Sequence, residues 1–264
     1  MRRRSWFGVL LALALALTVA FLTLPVVALV VDVAPSRLLA SLGRRQSLDA
    51  LQLSLLTTAI AVACIVLVGT PAAYLLATRP FPARSLTLTL IELPLVLPPA
   101  AAGIGLLAAL GPNGLIGGAL RSVHAELTLQ TAGVVVALVF VASPFYLTQA
   151  RTAFQAVQRT HVEAALALGA RRSGVFLRVA LPIAREGLLA GAALAWARAL
   201  GEFGATLMFA GSFQGVTQTA PLAIYDQFAS DFPAAIALSV VLVIVSGCLL
   251  LAIKVLGARA QPPM

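Results

Sequence analysis

Three side chains call for chemistry because of where they fall. Glu92, Arg198 and Glu202 carry charge inside long apolar runs, and an ionisable group at membrane depth costs about 2.5–3.5 kcal/mol on insertion scales. Such residues belong either to a substrate pathway or to an internal ion pair that makes insertion tolerable. Arg198 and Glu202 are spaced i,i+4, so on a helix they share a face and neutralise each other; both readings fit that spacing. Gly201 and Gly204 flank Glu202 in the run Arg198-Ala-Leu-Gly-Glu-Phe-Gly-Ala-Thr206. Small residues let helices approach closely, so this segment is expected to cross another helix near a central axis. For an anionic cargo, unpaired amides of broken helices offer a site without a full buried charge.

The chemistry of an enzyme is not written in this chain. The sequence holds no glycine-rich phosphate loop, no cluster with metal-ligand spacing and no nucleophile with a base beside it. His124 and His161 stand alone in loop segments. The chain is therefore read as a non-enzyme, with no catalytic residues, no metal and no cofactor of its own. Its energy has to come from a partner or from an ion gradient.

A second stretch draws attention by its polarity. Residues 161–182, His-Val-Glu-Ala-Ala-Leu-Ala-Leu-Gly-Ala-Arg-Arg-Ser-Gly-Val-Phe-Leu-Arg-Val-Ala-Leu-Pro, form a basic interruption in an otherwise greasy chain. Thr160 and Glu163 have the spacing of a capping box, and Gly169 stands where a left-handed C-terminal cap would end a short helix. A second short helix over 173–181 is expected to stop at Pro182. Such a hairpin suits a docking surface, and a solvated basic loop has the same composition.

The elements that must position these residues follow from composition. The chain has 264 residues, 61% of them hydrophobic and 10% charged, with a mean hydropathy of +1.02. Soluble domains carry about 25% charged residues, so this is an all-α, polytopic integral membrane protein. In such a chain the net charge of +9 speaks to orientation, not to nucleic acid. Cys64 and Cys248 lie inside apolar runs and read as small buried hydrophobes.

Six spans are expected, at about 6–31, 50–78, 85–110, 127–148, 187–211 and 232–253, each long enough to cross a hydrocarbon core. The first is too long for a signal peptide. Residues 32–49 read as an external loop with a short interfacial helix, and Thr219 and Pro221 suggest the start of another. Pro94, Pro98 and Pro99 interrupt the third span. Irregular backbone at membrane depth is tolerated only where protein covers it or water reaches it, so the third span is expected to face a pathway. Of the 18 Lys and Arg residues, 13 fall in 1–4, 79–84, 151–185 and 254–259. The positive-inside rule then puts both termini and the 151–185 loop in the cytoplasm.

The cytoplasmic loop resembles the main loop of binding-protein-dependent ABC importer permeases, whose pattern is E-A-A-x3-G-x9-I-x-L-P. Here Glu163, Ala164 and Ala165 are followed after three residues by Gly169, and nine residues later by Val179, Ala180, Leu181 and Pro182. The one departure is Val179 in place of isoleucine. The resemblance covers about residues 49–255 and implies the type I ABC importer permease fold in the cell (inner) membrane. It also implies that Glu163, Ala164, Ala165, Gly169, Val179, Leu181 and Pro182 dock on a partner ATPase subunit. The implied partners are a pair of such ATPase subunits, which use the ATP, an external substrate-binding protein, and a second copy of this chain. A translocation pathway is expected along Pro98, Pro99, Arg198, Gly201, Glu202, Gly204 and Thr206.

Within that family, Leu93-Pro-Leu-Val-Leu-Pro-Pro99, Arg198 to Thr206 and Thr217-Gln-Thr-Ala-Pro-Leu-Ala-Ile-Tyr225 are similar to molybdate permeases. Sulfate permeases share much of the Gly-Glu-Phe-Gly-Ala segment. The cargo implied is molybdate, with tungstate or sulfate/thiosulfate as alternatives. A gradient-driven transporter or channel is the rival from another class.

Overall fold

A chain this apolar must pair its backbone amides within each segment, and a helix does so without help from water. The computed structural model describes residues 6–31 and 43–258, with side chains through 251, and these residues form helices and no strands. In order they are α1 (Trp6–Val31), α2 (Arg45–Thr78), α3 (Arg84–Val96), α4 (Pro99–Leu110), α5 (Gly117–Ser122) and α6 (Thr131–Gln155). There follow α7 (Arg159–Ala167), α8 (Arg172–Leu200), α9 (Gly204–Ala210), α10 (Ala220–Ser230) and α11 (Phe232–Ala258). Five helices are long and apolar enough to cross a membrane, and α3 with α4 supplies a sixth crossing if the pair is one broken span. The interfacial helix expected within 32–49 falls mostly on 32–42, outside the described residues, as do Arg2, Arg3, Arg4, Arg37 and Arg259.

The third and fifth spans are broken, not merely kinked. Between α3 and α4 the axis turns by 118°. Leu97 and Pro98 each precede a proline, which disfavours the helical region; both are extended, with ψ of 131° and 136°. In the fifth span the helix stops at Leu200 and restarts at Gly204.

Pro182, expected as a boundary, lies inside a continuous helix. Residues 172–200 run through as α8 because the turn before the proline widens: Phe176–Ala180 are π-helical, and the amide of Leu181 reaches back to the carbonyl of Phe176. A proline in regular helix lacks its own amide and clashes with the carbonyl four residues earlier; the wider turn relieves that clash.

α6 is the hub, packing against α2, α8, α9 and both halves of the third span. The core around it is built largely from alanine: Ala61 and Ala73 of α2, Ala142 and Ala150 of α6, and Ala195 and Ala199 of α8 are all buried. Small side chains bring the helices close, which is how helices associate where lipid gives no hydrophobic drive. At one such contact the hydroxyls of Thr70 and Tyr146 share a hydrogen bond of 2.6 Å. Cys64 and Cys248 depart from expectation, since both are exposed. An outward apolar face can meet lipid, so an apolar run does not by itself imply burial inside the protein.

Candidate functional site: a break between two spans and a basic hairpin

The two breaks meet. α4 lies against α9, and glycines make the approach possible. A Cβ on Gly204 would come within 2.8 Å of Pro99 Cβ, and one on Gly103 within 2.6 Å of the Ala205 carbonyl oxygen. The interrupted part of the third span therefore touches the restart of the fifth. Pro98, Pro99 and Gly201 are exposed, and Gly204 is half-buried.

Glu202 is the linchpin of the break. Its carboxylate is 1% exposed. One oxygen, Oε2, lies 2.5 Å from Arg198 Nη2; the other, Oε1, accepts the Ala205 amide at 2.7 Å. The first amides of a helix have no partner of their own, and here a side chain before α9 satisfies one of them. The pair expected on one continuous helix face thus spans a gap, joining the last turn of α8 to the first turn of α9. Arg198 keeps 27% of its side chain exposed. Thr206 is fully buried, and its hydroxyl meets no hydrogen-bond partner among the described residues. Glu92 of α3 is half-buried, away from this pair in the fold's bonding, with no ion pair among the described residues.

The basic hairpin lies at the opposite end of α8. α7 contains Glu163, Ala164 and Ala165 and buries none of its residues. Thr160 is not its cap: the helix starts at Arg159 after Gln158, and no side chain caps it. Its end matches expectation. Gly169 has φ +83°, its amide bonds to the Leu166 carbonyl, and the Ala170 amide reaches Ala165 at 3.0 Å, which is a Schellman cap. Leu166 and Leu168 are left exposed, Leu168 at 89%. The returning arm of the hairpin, the start of α8, is pinned to the bundle through Phe176, whose ring lies tilted against Tyr74 at 4.8 Å and 6.2 Å from Phe154. Val179 and Leu181 are half-buried and Pro182 is exposed. Behind α7 lies a cavity of about 530 Å³ lined by Tyr74, Thr78, Phe154, Arg159 and Glu163 among others.

The far end is tied by polar contacts that sequence reasoning missed. Ser54 of α2 accepts the first amide of α10, from Ala220, at 2.7 Å, and Trp196 of α8 donates to Thr58 of α2 at 2.8 Å. Arg44 donates to Asp231 at 2.6 Å across 187 residues of sequence. That hydrogen bond, with another from the Ala234 amide, holds the Asp231 carboxyl below its ordinary range. No periodicity announces such pairs; a run of hydroxyls in an apolar helix (Ser47, Ser54, Thr57, Thr58) was the available signal.

Comparison with known proteins places this geometry. Residues 69–261 match the family described as binding-protein-dependent transport system inner membrane component. Over 247 residues the chain is 43% identical to the molybdenum transport system permease protein ModB of Mycobacterium bovis, covering 93% of this chain and 91% of that protein. It is 34% identical over 222 residues to the sulfate transport system permease protein CysW of Synechocystis, covering 83% and 80%. A chain of a bacterial ABC transporter involved in the import of the acidic polysaccharide alginate superposes with a TM-score of 0.79 over 99% of this chain and 98% of that one. At 14% identity that likeness speaks to the fold.

Proposed function

Because the chain belongs to the family of binding-protein-dependent transport system inner membrane components, we propose that it is the permease subunit of an ATP-driven ABC importer that carries molybdate into the cell. It has the type I importer permease fold and is a multi-pass protein of the inner membrane. The observation that carries the reading is the joining of its two unusual sites by one helix. α8 starts in the basic hairpin and ends at the break where the third and fifth spans touch.

In this reading the hairpin residues Glu163, Ala164, Ala165, Gly169, Val179, Leu181 and Pro182 receive the stroke of a partner ATPase. The exposure of α7 and its capped end at Gly169 support that role. Pro98, Pro99, Arg198, Gly201, Glu202, Gly204 and Thr206 lie along or beside the pathway. The working assembly is two copies of this chain, two ATPase subunits on the cytoplasmic side with both termini, and an external binding protein that delivers the anion. Hydrolysis belongs to the ATPase partner, and this chain needs no metal or cofactor of its own.

Sulfate is the second reading, favoured by the likeness to a sulfate permease over 83% of the chain. Both anions are tetrahedral and doubly charged, so the experiment compares them. The chain, its ATPase and its binding protein are reconstituted into vesicles, and uptake of labelled molybdate, tungstate and sulfate is measured with and without ATP. Uptake is expected only with ATP, and for molybdate ahead of sulfate. Preference for sulfate would replace molybdate as cargo, and uptake without the ATPase would overturn the ABC importer reading.

A further inference from the structure

Arg198 is partly exposed where an arginine should not meet lipid. Its guanidinium carries five N–H donors, of which one nitrogen is occupied by Glu202, and no other acceptor meets it among the described residues. It lies 26 residues into α8, roughly 40 Å along the helix at 1.5 Å per residue, well past the basic end. A guanidinium turned to acyl chains at that depth would leave its donors unsatisfied at a cost of several kcal/mol. Its open side therefore faces water or polar groups, not lipid. The neighbouring exposed positions agree, since Ala190 and Ala197 of α8 and Gly201 just past its end are small beside Leu194, unlike the Leu, Val and Phe side chains that cover α1. Pro98 and Pro99, at the break of the third span that touches Gly204, are exposed as well.

Glu202 has the opposite disposition. It is sealed behind the pair, with both oxygens committed to Arg198 and to the Ala205 amide. Its position is fixed by the backbone of α9, so it aims the guanidinium and cannot easily leave it. The pair presents an anion with a fork of donors but little net charge. That balance suits a transit contact, because a conducting site must bind well enough to admit an ion and weakly enough to release it.

We propose that Arg198 is the residue that contacts the tetrahedral oxyanion in transit, and that Glu202 is a positioning residue that aims its guanidinium and limits how tightly the anion is held. This rests on the transport reading above. Planar guanidinium groups match oxyanions through paired N–H donors, which a lysine cannot reproduce.

The test uses the permease–ATPase complex in two measurements: equilibrium dialysis of labelled molybdate without the binding protein, and ATP-driven uptake by the full complex in vesicles. Glu202→Gln leaves Arg198 uncompensated, so anion affinity should rise roughly tenfold, the scale of one charged hydrogen bond, while maximal uptake falls. The paired change Arg198→Gln/Glu202→Gln keeps side-chain size and an acceptor for the Ala205 amide. It should insert normally and lose roughly ten- to a hundredfold in both affinity and uptake efficiency. A purely structural pair predicts no change of affinity in either variant. Wild-type affinity and uptake in the double variant would overturn the inference alone; failure of the wild-type complex to carry any of the three anions would overturn the transport reading and this inference with it.

Discussion

At Gly103 and Gly204 a hydrogen is all the room allows. A Cβ at Gly103 would sit 2.6 Å from the Ala205 carbonyl oxygen and 2.7 Å from Met208 Cβ. Overpacking of that kind typically costs about 1–3 kcal/mol, so Gly103→Val should lower the thermal unfolding midpoint of the purified protein and pull the two breaks apart. Gly105, two residues on in the same helix, has nothing within 4 Å of its Cβ position. Gly105→Val is the matched control, and its midpoint should stay near wild type. Equal losses from both would mean that helix propensity, not the α4–α9 contact, sets the cost. The same scale explains why charge was legible in the sequence and contact was not. Arg198 and Glu202 announced themselves as charges in apolar runs, whereas the role of the glycines emerged only once Pro99 and Ala205 lay opposite them.

Elements were read from the sequence unevenly, and the physical reasons differ from case to case. Hydropathy sufficed for α1, because an uncharged run of Leu, Ala and Val has one stable form in a bilayer. It failed at Leu200, where apolar character continues through Phe203 to Ala210 while the backbone breaks at Gly201 to Phe203. A hydropathy window averages over such a break. Pro182 failed in the other direction: a proline usually ends a helix, yet the π-turn at Phe176–Ala180 carries the helix past it. Gly169 was legible because its cap depends on one residue's backbone. With φ at +83° and no neighbour near its Cβ position, substitution there is a test of conformation alone. Gly169→Val should cost about 1–2 kcal/mol in the left-handed region, distort the end of α7, and lower anion uptake per ATP hydrolysed while the protein still inserts. Gly169→Asn should restore coupling, since asparagine tolerates this region. Coupling lost equally in both variants would assign Gly169 a contact instead of a turn.

On the scale of the whole molecule, α8 is the member that spans both sites. Its 29 residues extend roughly 43 Å at 1.5 Å per residue, so in the proposed function a displacement of the hairpin would reach the Arg198–Glu202 break along one helix. The far end needs an anchor for that helix to work against, and Arg44 with Asp231 helps to provide it by fastening the start of α2 to the corner between α10 and α11. Arg44 and the Ala234 amide hold the Asp231 carboxyl below its unfolded value. A carboxyl depressed on folding adds stability above its unfolded pKa, near 3.9, and that stability is lost as pH falls through the lower folded value. Unfolding midpoints measured from about pH 6 down to about pH 3 should therefore fall less steeply in Asp231→Asn than in wild type. Identical slopes would show that the tie contributes nothing to the anchor.

α1 stands apart from this machinery. None of its residues is buried, only Leu29 is even partly covered, and it packs along α11. A helix held by length and greasiness, without interlocking shape, carries little information: very many sequences would satisfy it equally. Selection can let such a segment drift, or trade it for another, while the α4–α9 crossing and the hairpin cap leave far less freedom to the residues that form them.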